Sequence, residues 1–575
     1  MGVTCHPLRV SAAALLTFAC LCAPAVAAPP DAQPTDAQPT GAVAPQAAPA
    51  EPAKDAVVPP DANAPIAAAL PGALGAFDFK TSPVGAGDWP VAVKALHDFY
   101  SARNFAPVWV DAKGLTASGQ SVLARLLRAD EDALDLSPFA LPKKPLSDAS
   151  AADLAAADAT LSAAVVAYAM QASGSRIAPT SISPLITAHP GVVAAGAALA
   201  AVAAAADPDA ALEGYNPQQK GYRALREQLA QARSPAPADP APVAEAAPSP
   251  SRIPDGPSLA LGMRDPRVPL VRARLSVPAD GAQGEVYDLP LAVAVQAFQR
   301  ANGLPPNGAL TPGTAAALSG GVATPAVKVV PTVSPAHRAA MIAANMEMWR
   351  WEPHDMGGER IEINIPDFSL RMMDGENLIH ASRVIVGKPD TPTPVFSNSV
   401  KYILINPIWR VPDSIIRKEF APHLADDPNY LTDRGYEVKE IGGRMVVDQP
   451  PGEGNALGHI VFMFPNEHDV YLHDTPSRAL FGAAHRAFSH GCVRVEQPMA
   501  LAQLVMGGAG SGWTSARLQS MIGSDERTVM LPHPIPIHLE YFTEFVDASG
   551  ALQDRDDIYG IATRVAGTIA KSSQD

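Results

Sequence analysis

Two proline-rich tracts divide this chain before any motif is considered. Residues 29–65 hold ten prolines and no aromatic residue, and residues 235–257 hold eight more prolines. Proline fixes φ and removes a backbone donor, and a stretch without large apolar side chains buries too little surface to offset its ordering entropy. Neither tract can belong to a core, so the 575 residues are expected to fold as several bodies. The N-terminal segment up to Ala28 reads as an export signal. Arg9 is its only charged side chain, the apolar stretch from about Ala12 to Ala23 is short for a bilayer, and Ala25-Val26-Ala27 has the small-residue cleavage pattern. The expected location is therefore the periplasm, with no transmembrane segment after cleavage. The Ala-rich run Val192–Ala206 comes nearest to an apolar span, and Asp207 and Asp209 end it.

The texture between the tracts sets the expected order: signal peptide 1–27, disordered Pro/Ala-rich tether 28–75, helical domain 76–233, Pro-rich linker 234–257, a small three-helix unit 258–320, linker and helix 321–345, a β-rich domain 346–545, and a C-terminal tail 546–575. Val93, Leu96, Phe99 and Tyr100, and again Leu154, Leu161, Val165 and Tyr168, follow helical spacing. Thr311 is placed to cap a helix over Pro312–Leu318. Beyond residue 346 short apolar or alternating runs, such as Ile361/Ile363/Ile365, Tyr402–Ile405 and Ile460–Phe464, read as strands. Residues 413–438 interrupt them with helical spacing and many charges, a candidate lid. The fold class is α+β and multidomain.

A net charge of −15 makes a phosphate backbone an unfavourable partner, so nucleic acid is not expected. Of four cysteines, Cys5, Cys20 and Cys22 leave with the signal and Cys492 remains. A single thiol in an oxidising compartment invites a chemical role. It lies in Phe488-Ser489-His490-Gly491-Cys492-Val493-Arg494, downstream of the His473 of Tyr471-Leu472-His473-Asp474-Thr475-Pro476. A thiol is mostly protonated at neutral pH and needs a base or a cation to act as a nucleophile. His473 at a strand end can be that base, and the N–H groups after the Gly491 turn are oxyanion-hole candidates. A zinc site is the competing arrangement, since His459, His468, His473, His485, His490 and Cys492 fall close together in the sequence. The absence of His-Glu-x-x-His weighs against it.

The Ser-His-Gly-Cys-Val-Arg box with its upstream His-Asp-Thr resembles the L,D-transpeptidase (YkuD-type) catalytic domain. The likeness runs through Arg350-Trp351, Val386-Gly387-Lys388-Pro389, Asn406-Pro-Ile-Trp409-Arg-Val-Pro412, Gly454–Gly458 and Tyr541-Phe542-Thr543. Residues 258–320, with Val-Gln-Ala-Phe-Gln-Arg-Ala-Asn-Gly-Leu and Gly308–Leu318, resemble the peptidoglycan-binding three-helix module, and the chain as a whole resembles the large periplasmic branch with a helical scaffold. The resemblance implies a cysteine acyltransferase without cofactor or metal. Cys492 would take an acyl group from a tetrapeptide stem, D-Ala would leave, and an amine of a second stem would resolve the thioester as a 3→3 cross-link. His473 would be general base and acid, oriented by the main-chain carbonyl of Asp474, and Gly491 would supply an oxyanion N–H. Ser489, His490, Arg494, Tyr471 and Trp409 would bind substrate. For Arg494 a structural ion pair holding the Cys492 loop is an equal alternative. The partners implied are peptidoglycan stems and glycan, with carbapenems as covalent inhibitors. Hydrolysis at the same site, an L,D-carboxypeptidase, and attachment of a protein amine stay open as alternatives.

Overall fold

The computed structural model describes residues 61–75, 77, 82–85, 88–234, 253–259, 262–278, 284–302, 304, 308–319 and 334–572. The signal peptide, the tether up to residue 60, linker residues 235–252 and residues 320–333 lie outside the described residues.

The helical domain starts earlier than its composition suggests. Helix α1 (Ala64–Leu74) falls within the stretch expected to be tether, and buries Ile66, Leu70 and Leu74. Those three sit one turn apart, and Pro65 falls in the first turn, where its missing N–H is harmless. Helices α2 (Asp88–Ala102) and α3 (Ala117–Leu126) surround α4 (Ala151–Met170). Helix α4 opens on a capping box, Ser150 with Asp153, and is buried on nearly every side. The continuous apolar helix Ala151–Ser175 is the one described segment long and apolar enough to cross a membrane, and it is mostly buried inside this domain. The run 192–206 forms instead the short helix α5 (Ala195–Ala204), which buries Ala198, Leu199 and Val202. Helix α6 (Lys220–Arg233) leaves this core and buries Tyr222, Leu225 and Leu229 in the cluster that also holds Trp349 and Phe542.

Helices α7 (Val268–Leu275), α8 (Leu289–Ala301) and α9 (Pro312–Leu318) make a small core of their own, and the Thr311 hydroxyl caps α9 by accepting from Thr314 N–H. Ile253, within the expected linker, is already buried in that core. Helix α10 (Pro335–Trp349) leads into the β domain. At its end Arg350 is buried, ion-paired with Glu347, and donates to the Tyr222 hydroxyl (2.8 Å) and the Asp132 carbonyl of the helical domain. A buried guanidinium is tolerable only when most of its donors are met in this way; Nε alone is buried without a partner among the described residues.

The β domain is a closed ring. Strands β1 (Glu359–Asn364), β2 (Ser369–Asp374), β3 (Asn377–Gly387) and β4 (Phe396–Ile405) are followed by three strands of the insertion, β5 (Trp409–Arg410), β6 (Glu437–Ile441) and β7 (Arg444–Gln449). Then come β8 (Ile460–Met463), β9 (Leu472–His473), β10 (Ala487–Ser489), β11 (Val493–Val495) and β12 (Arg527–Glu540). The order is β10-β3-β11-β9-β8-β4-β12-β1-β2, and β2 pairs back onto β3. Closure removes the unpaired edges that a sheet otherwise exposes. The expected C-terminal tail is part of this body: α11 (Ile561–Ser572) puts Ile561, Ala562 and Val565 into the main core.

The insertion is larger than residues 413–438 and only partly helical. Short helical turns over 413–426 sit beside the antiparallel sheet β5-β7-β6. Its own core is small, with Val411, Ile416, Leu431 and Val447 buried and Trp409, Phe420 and Tyr436 packed against them.

Candidate active site

Strand register assembles the site. Strands β9 and β11 run parallel, with Leu472 opposite Val493 and His473 opposite Arg494. The Val493 N–H donates to the Tyr471 carbonyl at 3.1 Å, which continues the ladder one residue further. Side chains alternate between faces, so Tyr471, His473, Cys492 and Arg494 project from one face. Their separation along the chain says nothing of this; the parallel pairing does.

His473 is 5% exposed. Its Nδ1 lies 2.6 Å from the Asp474 carbonyl oxygen. A carbonyl only accepts, so Nδ1 carries the proton and Nε2 keeps its lone pair. Burial, with the Arg494 charge adding to it, pushes the imidazole down to about 3, against the opposing pull of the Asp474 and Leu457 carbonyls. The Cys492 thiol is half-buried, with Sγ 4.0 Å from the Asp469 carbonyl. Burial pushes it up to about 11, although the N–H and hydroxyl of Tyr471 and the Arg494 charge favour the thiolate. The resting pair at neutral pH is thus thiol and neutral imidazole rather than a preformed ion pair, an arrangement suited to proton transfer during attack.

Asp474 is anchored by both ends. Its carbonyl orients His473, while its carboxylate accepts from the N–H groups of His459 (2.9 Å) and Thr475 (2.7 Å) and pairs with Arg478. Gly458, at φ +62°, packs against it so closely that a Cβ there would overlap the carboxylate carbon. Any side chain at 458 would push Asp474, and through it His473.

Two expected roles change. The Gly491 N–H, expected as an oxyanion donor, donates to the Ser489 hydroxyl at 3.2 Å, so it is already engaged. Ser489, expected to bind substrate, is 2% exposed and donates to the Cys492 carbonyl; its hydroxyl shapes the loop. Gly491 itself is at φ +119°, a conformation that favours glycine. Trp409 packs on Tyr436 in the lid core. Tyr471 meets His473 edge-on, ring centroids 5.8 Å apart. The ion pair that Arg494 was equally suited to make is not there: among the described residues its guanidinium pairs with no carboxylate, and Nε is buried without a partner. His490 reaches away to Glu419 of the lid, Nε2 to Oε1 2.5 Å.

Sequence reasoning missed the support behind the loop. The buried Thr393 hydroxyl donates to the Gly491 carbonyl (2.7 Å) and accepts from Gly387 N–H (2.9 Å). The Tyr559 hydroxyl donates to the Gly387 carbonyl (2.6 Å) and accepts from Thr393 N–H (3.2 Å). Val395 exchanges backbone hydrogen bonds with Leu185 and Thr187 of the helical domain. The Thr-Pro-Thr-Pro run at 391–394 was the available signal. Among the described residues no three His, Cys, Asp or Glu side chains converge as metal ligands.

Comparison with known proteins defines the class. Residues 358–519 match the L,D-transpeptidase catalytic domain, residues 94–229 a scaffold domain, and residues 271–318 a "Putative peptidoglycan binding domain". The chain therefore carries an L,D-transpeptidase catalytic domain, with a helical scaffold and a peptidoglycan-binding module ahead of it. One relative is a Haemophilus influenzae protein described as "Putative L,D-transpeptidase", 32% identical over 249 residues that cover 40% of this chain and 50% of the relative. The chain thus spans about half the length of that curated relative. Among solved structures, an L,D-transpeptidase from Xylanimonas cellulosilytica is 17% identical, covers 50% of this chain and 98% of its own, and superposes with a TM-score of 0.21. One from Mycobacterium smegmatis is 14% identical, covers 32% and 58%, and gives 0.17.

Proposed function

We propose that this protein is an exported, periplasmic L,D-transpeptidase that forms 3→3 cross-links in peptidoglycan through a Cys492 thioester. The observation that carries the reading is the shared face of β9 and β11, where Cys492 sits diagonally from a histidine whose tautomer is fixed by the Asp474 carbonyl. In this reading the thiol attacks the carbonyl of the third stem residue as its proton passes to His473 Nε2, and His473 returns that proton to the departing D-Ala amine. The Cys492 N–H is the oxyanion donor in place of that of Gly491, and the unpaired Arg494 receives the substrate carboxylate. The peptidoglycan-binding module supports the substrate class.

Hydrolysis of the same thioester is the second reading, favoured by the partial solvent access of Cys492. Incubation with disaccharide-tetrapeptide and mass analysis tests both. Cross-linked dimer with free D-Ala is the expected product, tripeptide alone would replace transfer by hydrolysis, and unchanged substrate would refute the activity. A carbapenem should give one adduct, mapped to Cys492 and blocked by prior alkylation of that thiol.

A further inference from the structure

The lid meets the nucleophile loop through a contact of Glu419 with His490. Within the insertion, Asp413 is paired with Arg417 and Arg444, while Glu437 and Asp448 share Lys439. Glu419 reaches out of it, to Nε2 of His490, two positions before Cys492, and both side chains remain partly exposed. Glu419 lies on a turn of π-helix, Ile416–Phe420, a rare form that concentrates at functional positions. Ile416 and Phe420 pack into the lid core, and that packing leaves Glu419 directed outward. A partly exposed contact of this kind is weak even when both partners are charged, so an ammonium can displace His490.

Transfer needs such a cation. An acceptor amine of the lysine type has an ordinary value of about 10.4 and arrives as an ammonium. On the fixed side of the site the Asp474 carboxylate is taken by Arg478 and two N–H groups, and Arg494 is itself a cation. We infer that Glu419 is the acceptor-binding residue of the transpeptidation proposed above, on which this inference rests. The incoming ammonium displaces His490 from the Glu419 carboxylate and is held beside the thioester. One proton leaves through the released His490 to solvent. The nitrogen bonds to the thioester carbon, the carbon–sulfur bond breaks, and the second nitrogen proton passes through His473 to sulfur, leaving an amide and the free thiol.

The test uses the full-length mature protein with disaccharide-tetrapeptide as donor and acceptor, and Glu419→Gln, which keeps shape and removes charge. The dimer-to-tripeptide ratio should fall roughly three- to tenfold, and Glu419→Asp should recover part of it. Hydroxylamine, uncharged at neutral pH, should resolve the thioester of wild type and Glu419→Gln at equal rates. A ratio unchanged by Glu419→Gln overturns the inference. So does an equal loss toward hydroxylamine, which would make Glu419 a structural part of the lid, and so does a loss that follows Asp469→Asn instead. If intact mass shows no thioester on Cys492 of the wild type, the transpeptidase reading fails first and this one with it.

Discussion

The two sides of the site are built on different scales. His473, Cys492 and Arg494 stand on a closed ring of strands whose core is continuous with the packing of α10 and α11. The loop carrying Cys492 is fixed from behind by Thr393, Ser489 and Tyr559. The lid facing it has four buried apolar side chains and a surface of small ion pairs. Each buried aliphatic side chain contributes about 1.5–3 kcal/mol, so the lid core is worth little more than its own ordering. In the proposed reaction, proton transfer and attack would thus fall to rigid elements, and the part proposed to handle the second substrate is easy to move.

The strongest way to break this division is at the nucleophile. Cys492→Ser should lower D-Ala release by about 10⁴-fold or more, as removal of a nucleophile does in a coupled site, without moving the unfolding midpoint; more than a few per cent residual turnover would remove Cys492 from that role. The two histidines should then separate rigid side from mobile side. His473→Ala should cost about 10²–10⁴-fold in D-Ala release. His490→Ala should cost no more than about tenfold, since a partly exposed pair is worth about 1 kcal/mol or less. The reverse ranking in the same assay would exchange their roles.

Arg350→Ala probes the rigid side through stability. It leaves Glu347 buried and takes the donor from the Asp132 carbonyl, Asn216 and Tyr222. Unfolding free energy should drop by about 3–5 kcal/mol, read by denaturant titration; a loss under about 1 kcal/mol would show the contact to be incidental. A titration sharpens the same point. His473 stays neutral in the fold down to about 3, while in the unfolded chain it binds a proton below about 6.5. The unfolded state therefore holds more protons between those values, and stability falls as pH drops through that window, by up to about 1.4 kcal/mol per unit. His473→Gln should flatten that slope relative to wild type; parallel curves would contradict the buried neutral imidazole.

The smallest expected effect is on the lid. Replacing Ser414–Tyr436 by a short linker should raise the tripeptide-to-dimer ratio by roughly three- to tenfold, the factor one contact of about 1 kcal/mol gives. An unchanged ratio with full total turnover would assign acceptor handling elsewhere.

Much of this was legible in the chain. The Cys492 box, its histidine and the α+β organisation rest on local signals: turn residues, alternation and a single mature thiol. What was not legible lies at long range. The pairing of β9 with β11, the Thr393–Gly491 bond and the clamp of Arg478 and Gly458 on Asp474 join residues by tertiary packing, which local pattern does not encode. Helix α1 escapes a composition count because proline and alanine dominate it, while Ile66, Leu70 and Leu74 decide the fold. The C-terminal helix reads as a tail because its apolar face is short. That the Gly491 N–H donates to a neighbouring hydroxyl two positions back was likewise not legible.

Ring closure limits how this protein can read its substrate. A free strand edge would let an extended ligand join as one more strand, its backbone supplying affinity whatever its side chains. Here the pairing passes from β3 around to β2 and back, and only the short β10 stands outside it. A peptide reaching Cys492 in the proposed reaction would therefore find no free ladder on the ring beyond β10, and the open edges left beside it are those of the small lid sheet β5-β7-β6. For the proposed stems of mixed chirality, whose backbones would twist out of register with an L-residue strand, a closed ring is no loss.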